Sequence, residues 1–446
     1  YQILIIIIPI ILLPYLAKTI GVNGTGIYSY TNTIANYFVL LGMLGLKNYG
    51  IRVIAKNREN REQLSKEFYS LYTMQVITCI VSILIYLILT MLIFNEYKDI
   101  FIIQAIYVLS TFLDITWFYS GMENFKTIVI KNTIIKVLTI LMILLFVKNP
   151  DDVWKYSLIM SLSFLIGNGS LWIKIKKYID YYKPTKKDVM IHVKPNLKLF
   201  ISVIAISIYK MMDKVMIKIL ADTMQVGYYE YAEKINYFQI LITTALGTVM
   251  LPKMSFLTIK KKQEEYNDII YKSLKTTMFL SLGLCFGIIA LSDEFVQIYL
   301  GNEFDVTAQT LKVLALSGIF VSAANIIRTL YILPKEKDNI YIYSVILGAI
   351  LNVILNALLI TQYGAVGAAI ATVIAEISVF LYQILKIRNE INIKKIFLSI
   401  LQFIPSAIKI FTKFMAGSTT YIALNYYTIK NHLNINLFKR KKHSID

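Results

Sequence analysis

Apolar stretches of about twenty residues return at intervals of roughly 25 to 40 residues along the whole of this 446-residue chain. A soluble core cannot absorb that pattern, because each run needs polar surface to cover it. The chain is 57% hydrophobic and only 16% charged, against about 45–50% and about 25% in soluble domains. Lipid as the solvent removes the contradiction: a helix satisfies its own backbone and shows apolar side chains outward. The chain therefore reads as an all-α polytopic membrane protein of 12–14 transmembrane helices.

Spans are expected near 3–20, 28–50, 71–94, 100–120, 127–147, 153–173, 199–220, 231–256, 274–292, 306–330, 340–361 and 365–386, with a weaker pair at 397–412 and 414–429. Twelve is the secure number, since Lys409 and Lys413 interrupt the last pair. The first run opens at Tyr1 and holds Pro9 and Pro14. It reads as a bent helix cut short at its start, without the basic flank of a signal peptide.

Net charge is +19, and its placement tests the spans. Basic clusters follow the even-numbered helices: Arg52, Lys56, Arg58 and Arg61 after the second, Lys126 and Lys131 after the fourth, the run from Lys174 to Lys198 after the sixth, and Lys260, Lys261 and Lys262 after the eighth. Loops after odd-numbered helices carry acids instead, such as Asp151, Asp152, Asp293, Glu294 and Glu303. Lysine and arginine collect on the cytoplasmic side, so even loops and both termini are expected inside a cell membrane. No folded domain remains to carry nucleic-acid binding. The external loops are too short to house an external catalytic domain.

Residues Gly26, Tyr28, Tyr30 and Ile34 match Gly227, Tyr229, Tyr231 and Ile235 at a constant offset of 201. Six helices separate the copies, so both keep one orientation and the repeat is parallel. Two six-helix lobes, 1–173 and 199–386, are expected around a central cavity. A basic linker (174–198) joins them, followed by a possible extra pair (397–429) and a basic tail (430–446).

Catalytic motifs are absent: no phosphate-binding loop, no HExxH and no GxSxG occurs. Asp151-Asp152 reads as interfacial acids at a helix start rather than the metal-binding pair of a glycosyltransferase. His192, His432 and His443 lack metal-ligand spacing, and Cys79 and Cys285 sit in apolar runs as small hydrophobes. The informative residues are polar groups inside spans, which are costly unless paired or facing a wet cavity. The seventh helix carries Lys210, Lys214 and Lys218 on one face, with Asp213 beside them and expected to pair with the lysines. Glu230 and Lys234 open the eighth, Asp114 lies in the fourth, and Asn32, Asn36, Lys47 and Arg52 mark the second. A net positive stripe in a central cavity suits an anionic phosphate or pyrophosphate headgroup.

Several stretches together carry a resemblance: Gly24-Thr-Gly-Ile-Tyr-Ser-Tyr30, Leu44-Gly-Leu-Lys-Asn-Tyr-Gly-Ile-Arg52, Asp114-Ile-Thr-Trp-Phe-Tyr-Ser-Gly-Met-Glu123, Val226-Gly-Tyr-Tyr-Glu-Tyr-Ala-Glu-Lys234, Asn352-Val-Ile-Leu-Asn356 and Tyr363-Gly-Ala-Val-Gly-Ala-Ala369. In this order over residues 10 to 380, the chain resembles the polysaccharide/oligosaccharide flippases of the multidrug/oligosaccharidyl-lipid/polysaccharide exporter superfamily. The resemblance implies a MATE-like fold and alternating access. It implies translocation of an undecaprenyl-pyrophosphate-linked oligosaccharide, a lipid-linked anionic substrate, between leaflets. Coupling to a proton or Na+ gradient, contact with membrane lipids, and cooperation with a polysaccharide polymerase and glycosyltransferases are further expectations; no cofactor is. The alternatives are a lipid II or teichoic-acid-type precursor flippase and, in another class, a lipid-linked sugar polymerase, which would need a large external loop. A drug antiporter would favour acids where the seventh helix is basic.

Overall fold

The computed structural model describes residues 2–260 and 263–391. Thirteen α-helices run through them: α1 (Gln2–Thr19), α2 (Gly21–Met43), α3 (Leu46–Asn57), α4 (Arg61–Leu92), α5 (Lys98–Leu109), α6 (Thr116–Gly121), α7 (Phe125–Phe146), α8 (Val153–Ser170), α9 (Lys186–Leu220), α10 (Thr223–Ile259), α11 (Gln263–Tyr299), α12 (Asp305–Ile327) and α13 (Asp338–Ile387). Among the described residues nine helical segments are long and apolar enough to cross a membrane. One of these, α13, turns at Gly364 (φ 54°), so it supplies the expected eleventh and twelfth spans. The glycine is required there twice over: φ is positive, and a Cβ would sit 2.3 Å from Gln225 Oε1. That Oε1 instead accepts the Ala365 N–H at 2.9 Å, starting the second half of the helix. With α1 and α9, every expected span between 3 and 386 has its helix. The expected pair at 397–429 and the tail at 430–446 lie outside the described residues.

Three departures from expectation bear on the site. The second span stops at Met43, where Leu44 and Gly45 take left-handed conformations (φ 44° and 79°). Lys47 and Arg52 therefore sit on a separate amphipathic helix, α3, and not on the end of a membrane span. The fourth span breaks at Asp114, whose backbone is extended between a 3-10 turn (Ser110–Leu113) and α6. The linker is mostly ordered helix rather than loop. A 3-10 turn covers Leu171–Lys177, and α9 starts at Lys186 with a capping box between Thr185 and Asp188. Arg61 grips Asp180 with two bonds of 2.6 and 2.8 Å and holds its carboxyl below the ordinary carboxylate range. Lys66 meets Asp188 at 2.9 Å. Nearby, His192 is buried between Tyr49 and Glu67, so the start of α9 is pinned to the first lobe.

Lipid contact is written on α7. Ile134, Leu138, Leu141 and Leu145 are all at least half exposed, at i, i+4, i+7 and i+11. Polar residues occupy the other face.

The two lobes share one hydrophobic core at the end where α2 and α10 begin: Val22, Tyr30 and Ile34 pack with Val226, Tyr229, Tyr231 and Ile235. At the lysine-rich end they have separate cores, one around Phe68 and Trp117 and another around Tyr266 and Tyr331. The molecule is thus sealed at one end and divided at the other. The seal is built from the internal repeat. A Cβ on Gly26 would lie 1.8 Å from Thr223 O, and one on Gly227 2.1 Å from Val22 O. Cross-lobe hydrogen bonds flank this contact: Thr223 to Asn23 (2.7 Å), Thr25 with Tyr231 (2.9 Å) and Ser29 to Glu230 (2.6 Å).

Gly26→Ala should force α2 and α10 apart at this seam. In a background lacking Cys79 and Cys285, a Thr25→Cys thiol should then react faster with a water-soluble maleimide in purified protein. An unchanged labelling rate would show that the seam tolerates the extra methyl.

Candidate functional site

The lysines of α9 face partners that the chain order does not reveal. Lys214 Nζ lies 2.6 Å from Glu230 and 2.8 Å from Glu233, both on α10, while Lys234 meets Glu230 at 2.9 Å. Two lysines and two glutamates make this a neutral cluster, placed at the seam where Ser29 also donates to Glu230. Lys218 pairs with Glu96 at 2.5 Å. Lys210 alone stays exposed, within electrostatic reach of Glu376.

Asp213 does not pair with Lys210 or Lys214 as expected. Its buried carboxylate accepts from Tyr229 (2.7 Å), Asn356 (2.6 Å) and Thr372 (3.2 Å). Asn352 Oδ1 accepts a second bond from Asn356, while Asn356 Oδ1 is buried and unsatisfied. The residue is turned away because α9 packs against both halves of α13, and the polar faces of those halves meet it. Tyr229, Asn352, Asn356 and Thr372 were not singled out as site residues from the sequence. The Asn352/Asn356 spacing of one helical turn was the available signal.

A cavity of about 590 Å³ is walled by α1, α2, α3, α5, α6, α7 and α8 of the first lobe, with Val203 of α9 at its border. It gathers Asn36, Lys47 and Asp114 with Lys131 and Lys136. Lys131 was grouped with a topology-setting loop, yet it stands within α7 and feels the charges of Asp114 and Lys47. Its Nζ reaches Asn168 Oδ1 at 3.5 Å. Lys136 is a site residue that hydropathy alone does not mark; its signal is the polar stripe that Asn132, Lys136 and Thr139 form on an otherwise apolar span. Asp114 is occupied locally, because Thr116 donates both its N–H (2.9 Å) and its hydroxyl (2.6 Å) to one carboxylate oxygen. Three lysines against this one carboxylate leave the cavity at +2. Asn36 accepts from Tyr107 (3.1 Å) and donates to Met211 of the second lobe (3.4 Å). Arg52 is exposed on α3 and Asn32 half-buried on α2; neither lines the cavity.

Two lobes of parallel repeat, membrane-spanning throughout, with a charged cavity inside one of them, define a transporter of the multidrug/oligosaccharidyl-lipid/polysaccharide exporter superfamily. The chain belongs to the polysaccharide biosynthesis protein family, whose profile matches residues 1–258; the profile of the lipid II flippase MurJ matches residues 193–437. It is 24% identical over 385 residues to a Shigella dysenteriae protein described as an O-antigen transporter, spanning 84% of this chain and 94% of that one. Its fold is similar to that of lipid II flippase MurJ in an inward closed conformation, with a TM-score of 0.71 and 17% identity over 94% of this chain and 96% of that one. It is similar also to an inward-facing MATE family multidrug transporter, with a TM-score of 0.63 and 13% identity over 85% and 98%. This is a multi-pass membrane protein of transport in polysaccharide biosynthesis.

Breaking one partner of a buried ion pair costs about 3–5 kcal/mol, because the other charge is left unpaired. Lys214→Gln should therefore lower the apparent melting temperature in detergent by several degrees, and Glu230→Gln added to it should restore part of the loss. Lys210→Gln should leave it unchanged. Equal melting temperatures for all three variants and the parent would mean that the cluster at the seam bears no weight.

Proposed function

We propose that the protein flips an undecaprenyl-pyrophosphate-linked oligosaccharide from the inner to the outer leaflet of the cell membrane by alternating access. The observation that carries this reading is the net charge of +2 in a cavity walled by membrane-spanning helices. Excess charge within a membrane is costly, and a diphosphate offers acceptor oxygens to several ammonium groups at once. The relative described as an O-antigen transporter and the MurJ-like fold support a lipid-linked glycan as the substrate class. The MurJ profile match favours one second reading, a lipid II-type precursor with the same diphosphate chemistry.

In this reading the lysine-rich, divided end faces the cytoplasm. The diphosphate enters there and meets Lys47, Lys131 and Lys136. Parting of Gly26 from Gly227 then opens the opposite side. Asp213 is the coupling group in the second lobe. A buried carboxylate beside Thr372, Asn352 and the unsatisfied Asn356 Oδ1 suits a proton or Na+, since turning the Asn356 amide would aim its oxygen at the same point.

Hydrogen bonds to charged groups contribute about 1.5–3 kcal/mol each, and 1.4 kcal/mol is roughly tenfold. In vesicles holding only this protein, Lys131→Gln with Lys136→Gln should cut flipping of a lipid-linked oligosaccharide at least about tenfold, without lowering the melting temperature. Asp213→Asn should leave whatever flipping persists indifferent to an imposed proton or Na+ gradient. Undiminished flipping by the double lysine variant would remove the cavity from the path.

The orientation is open to a direct check. Thiols introduced as Lys187→Cys and Asn302→Cys, in the background lacking Cys79 and Cys285, would be probed on intact cells with an impermeant reagent. Labelling at 302 and protection at 187 are expected; the reverse pattern would invert the transport direction.

A further inference from the structure

A second cavity, of about 660 Å³, lies at the sealed end of the first lobe, where α2, α5 and α8 all begin. Its chemistry is opposite to that of the first. Asp99 and Asp151 line it together with Trp154, Tyr97 and Asn23, and no lysine or arginine does. Two carboxylates give it a charge of −2.

The two acids are not consumed by the fold. At the start of α8 it is Asp152 that closes the capping box with Asn149 and pairs with Lys155 at 2.6 Å; Asp151 is left exposed beside it. Neither Asp99 nor Asp151 makes an ion pair among the described residues. No third His, Cys, Asp or Glu joins them in a metal-holding group there. Trp154 is 47% exposed on a helix whose neighbouring Val153 is buried. Asn23 and Tyr97 both bond Thr223 of the second lobe, at 2.7 and 3.3 Å. Both bonds cross the seam between the lobes.

We infer that this cavity is a carbohydrate subsite at the outer mouth, taking the uncharged or amine-bearing sugars of the translocated unit after the seam parts. The inference rests on the flippase reading. Lys155 Nζ stands 5.6 Å from the centroid of the Trp154 ring, and the opposite face of the indole supplies an apolar, polarisable surface for a pyranose ring. Asp99 and Asp151 accept from sugar hydroxyls in charge-assisted bonds. Separation of α2 from α10 releases Asn23 and Tyr97 from Thr223 and adds an amide and a phenol to the same wall. A charge of −2 repels the diphosphate, so the subsite selects the glycan and leaves the headgroup to the lysines of the first cavity. The molecule thus presents opposite charge to the two ends of one substrate.

The probe is the oligosaccharide repeat unit freed by mild acid from the cell's own surface polysaccharide, carrying neither lipid nor diphosphate. Its affinity for the purified full chain in nanodiscs would be read by calorimetry and ligand-observed NMR. Binding should weaken at least about tenfold in Trp154→Ala, as expected for loss of roughly 1–2 kcal/mol of ring contact, and survive in Trp154→Phe. Asp99→Asn with Asp151→Asn should weaken it severalfold, and Thr223→Val should tighten it by freeing Asn23 and Tyr97. Absence of binding to the parent protein, or equal binding by Trp154→Ala, would overturn the subsite. Vesicle flipping measured in parallel separates the two readings. Intact flipping with no oligosaccharide binding sinks the subsite alone. Trp154-dependent binding without any flipping of a lipid-linked glycan sinks the flippase reading and leaves the subsite standing.

Discussion

The contact on which the rest of the molecule depends is the approach of α2 to α10 at Gly26 and Gly227. Without side chains at these two positions the helix backbones come so close that either Cβ would overlap a carbonyl oxygen of the other helix. Everything at the sealed end follows from that distance. Thr25, Ser29 and Asn23 can reach partners on the other lobe, and Glu230 is brought against Ser29 while holding Lys214 and Lys234. Lipid offers little driving force for helix association, so small residues and interhelical hydrogen bonds carry it. In this molecule those hydrogen bonds flank a shared apolar core of Val22, Tyr30, Val226 and Tyr231.

Charge is divided between the lobes by the same geometry. In the second lobe each seam lysine has a carboxylate within ion-pair distance, and Asp213 is enclosed by neutral donors. In the first lobe Lys47, Lys131 and Lys136 meet one aspartate that is already occupied by Thr116. The ion-paired set joins the two lobes, while in the first cavity lysines outnumber carboxylates three to one. The cavity at the other end of the first lobe carries the opposite sign, with Asp99 and Asp151 and no lysine or arginine in its lining.

Much of the architecture was legible in the sequence. The spans up to residue 386 and the parallel repeat rest on properties local to a segment: apolar length, lysine placement between segments, and a matched stretch at constant offset. Errors came where a span breaks for a reason outside its own hydropathy. The left-handed pair Leu44–Gly45 ends α2 early because α9 passes there, with a Gly45 Cβ position only 3.0 Å from Phe200 N. Asp114 reads as an intramembrane charge, yet it occupies an extended break and bonds its own turn.

The candidate site divides along the same line. That α9 bears an unusual load of charge, that Asn36 is a polar residue inside an apolar span, and that Gly26 repeats as Gly227 were all determined by the amino-acid order, because composition and periodicity belong to single helices. Which lysine is neutralised and which is free was decided only by the tertiary structure. Lys214 and Lys131 look alike in sequence, each a lysine inside an apolar run. One packs against a helix presenting Glu230 and Glu233; the other faces Asn168 across a cavity. Electrostatic energy falls off over a few ångströms and depends on what lies across the gap, and the residues across the gap come from helices that the chain order does not place side by side.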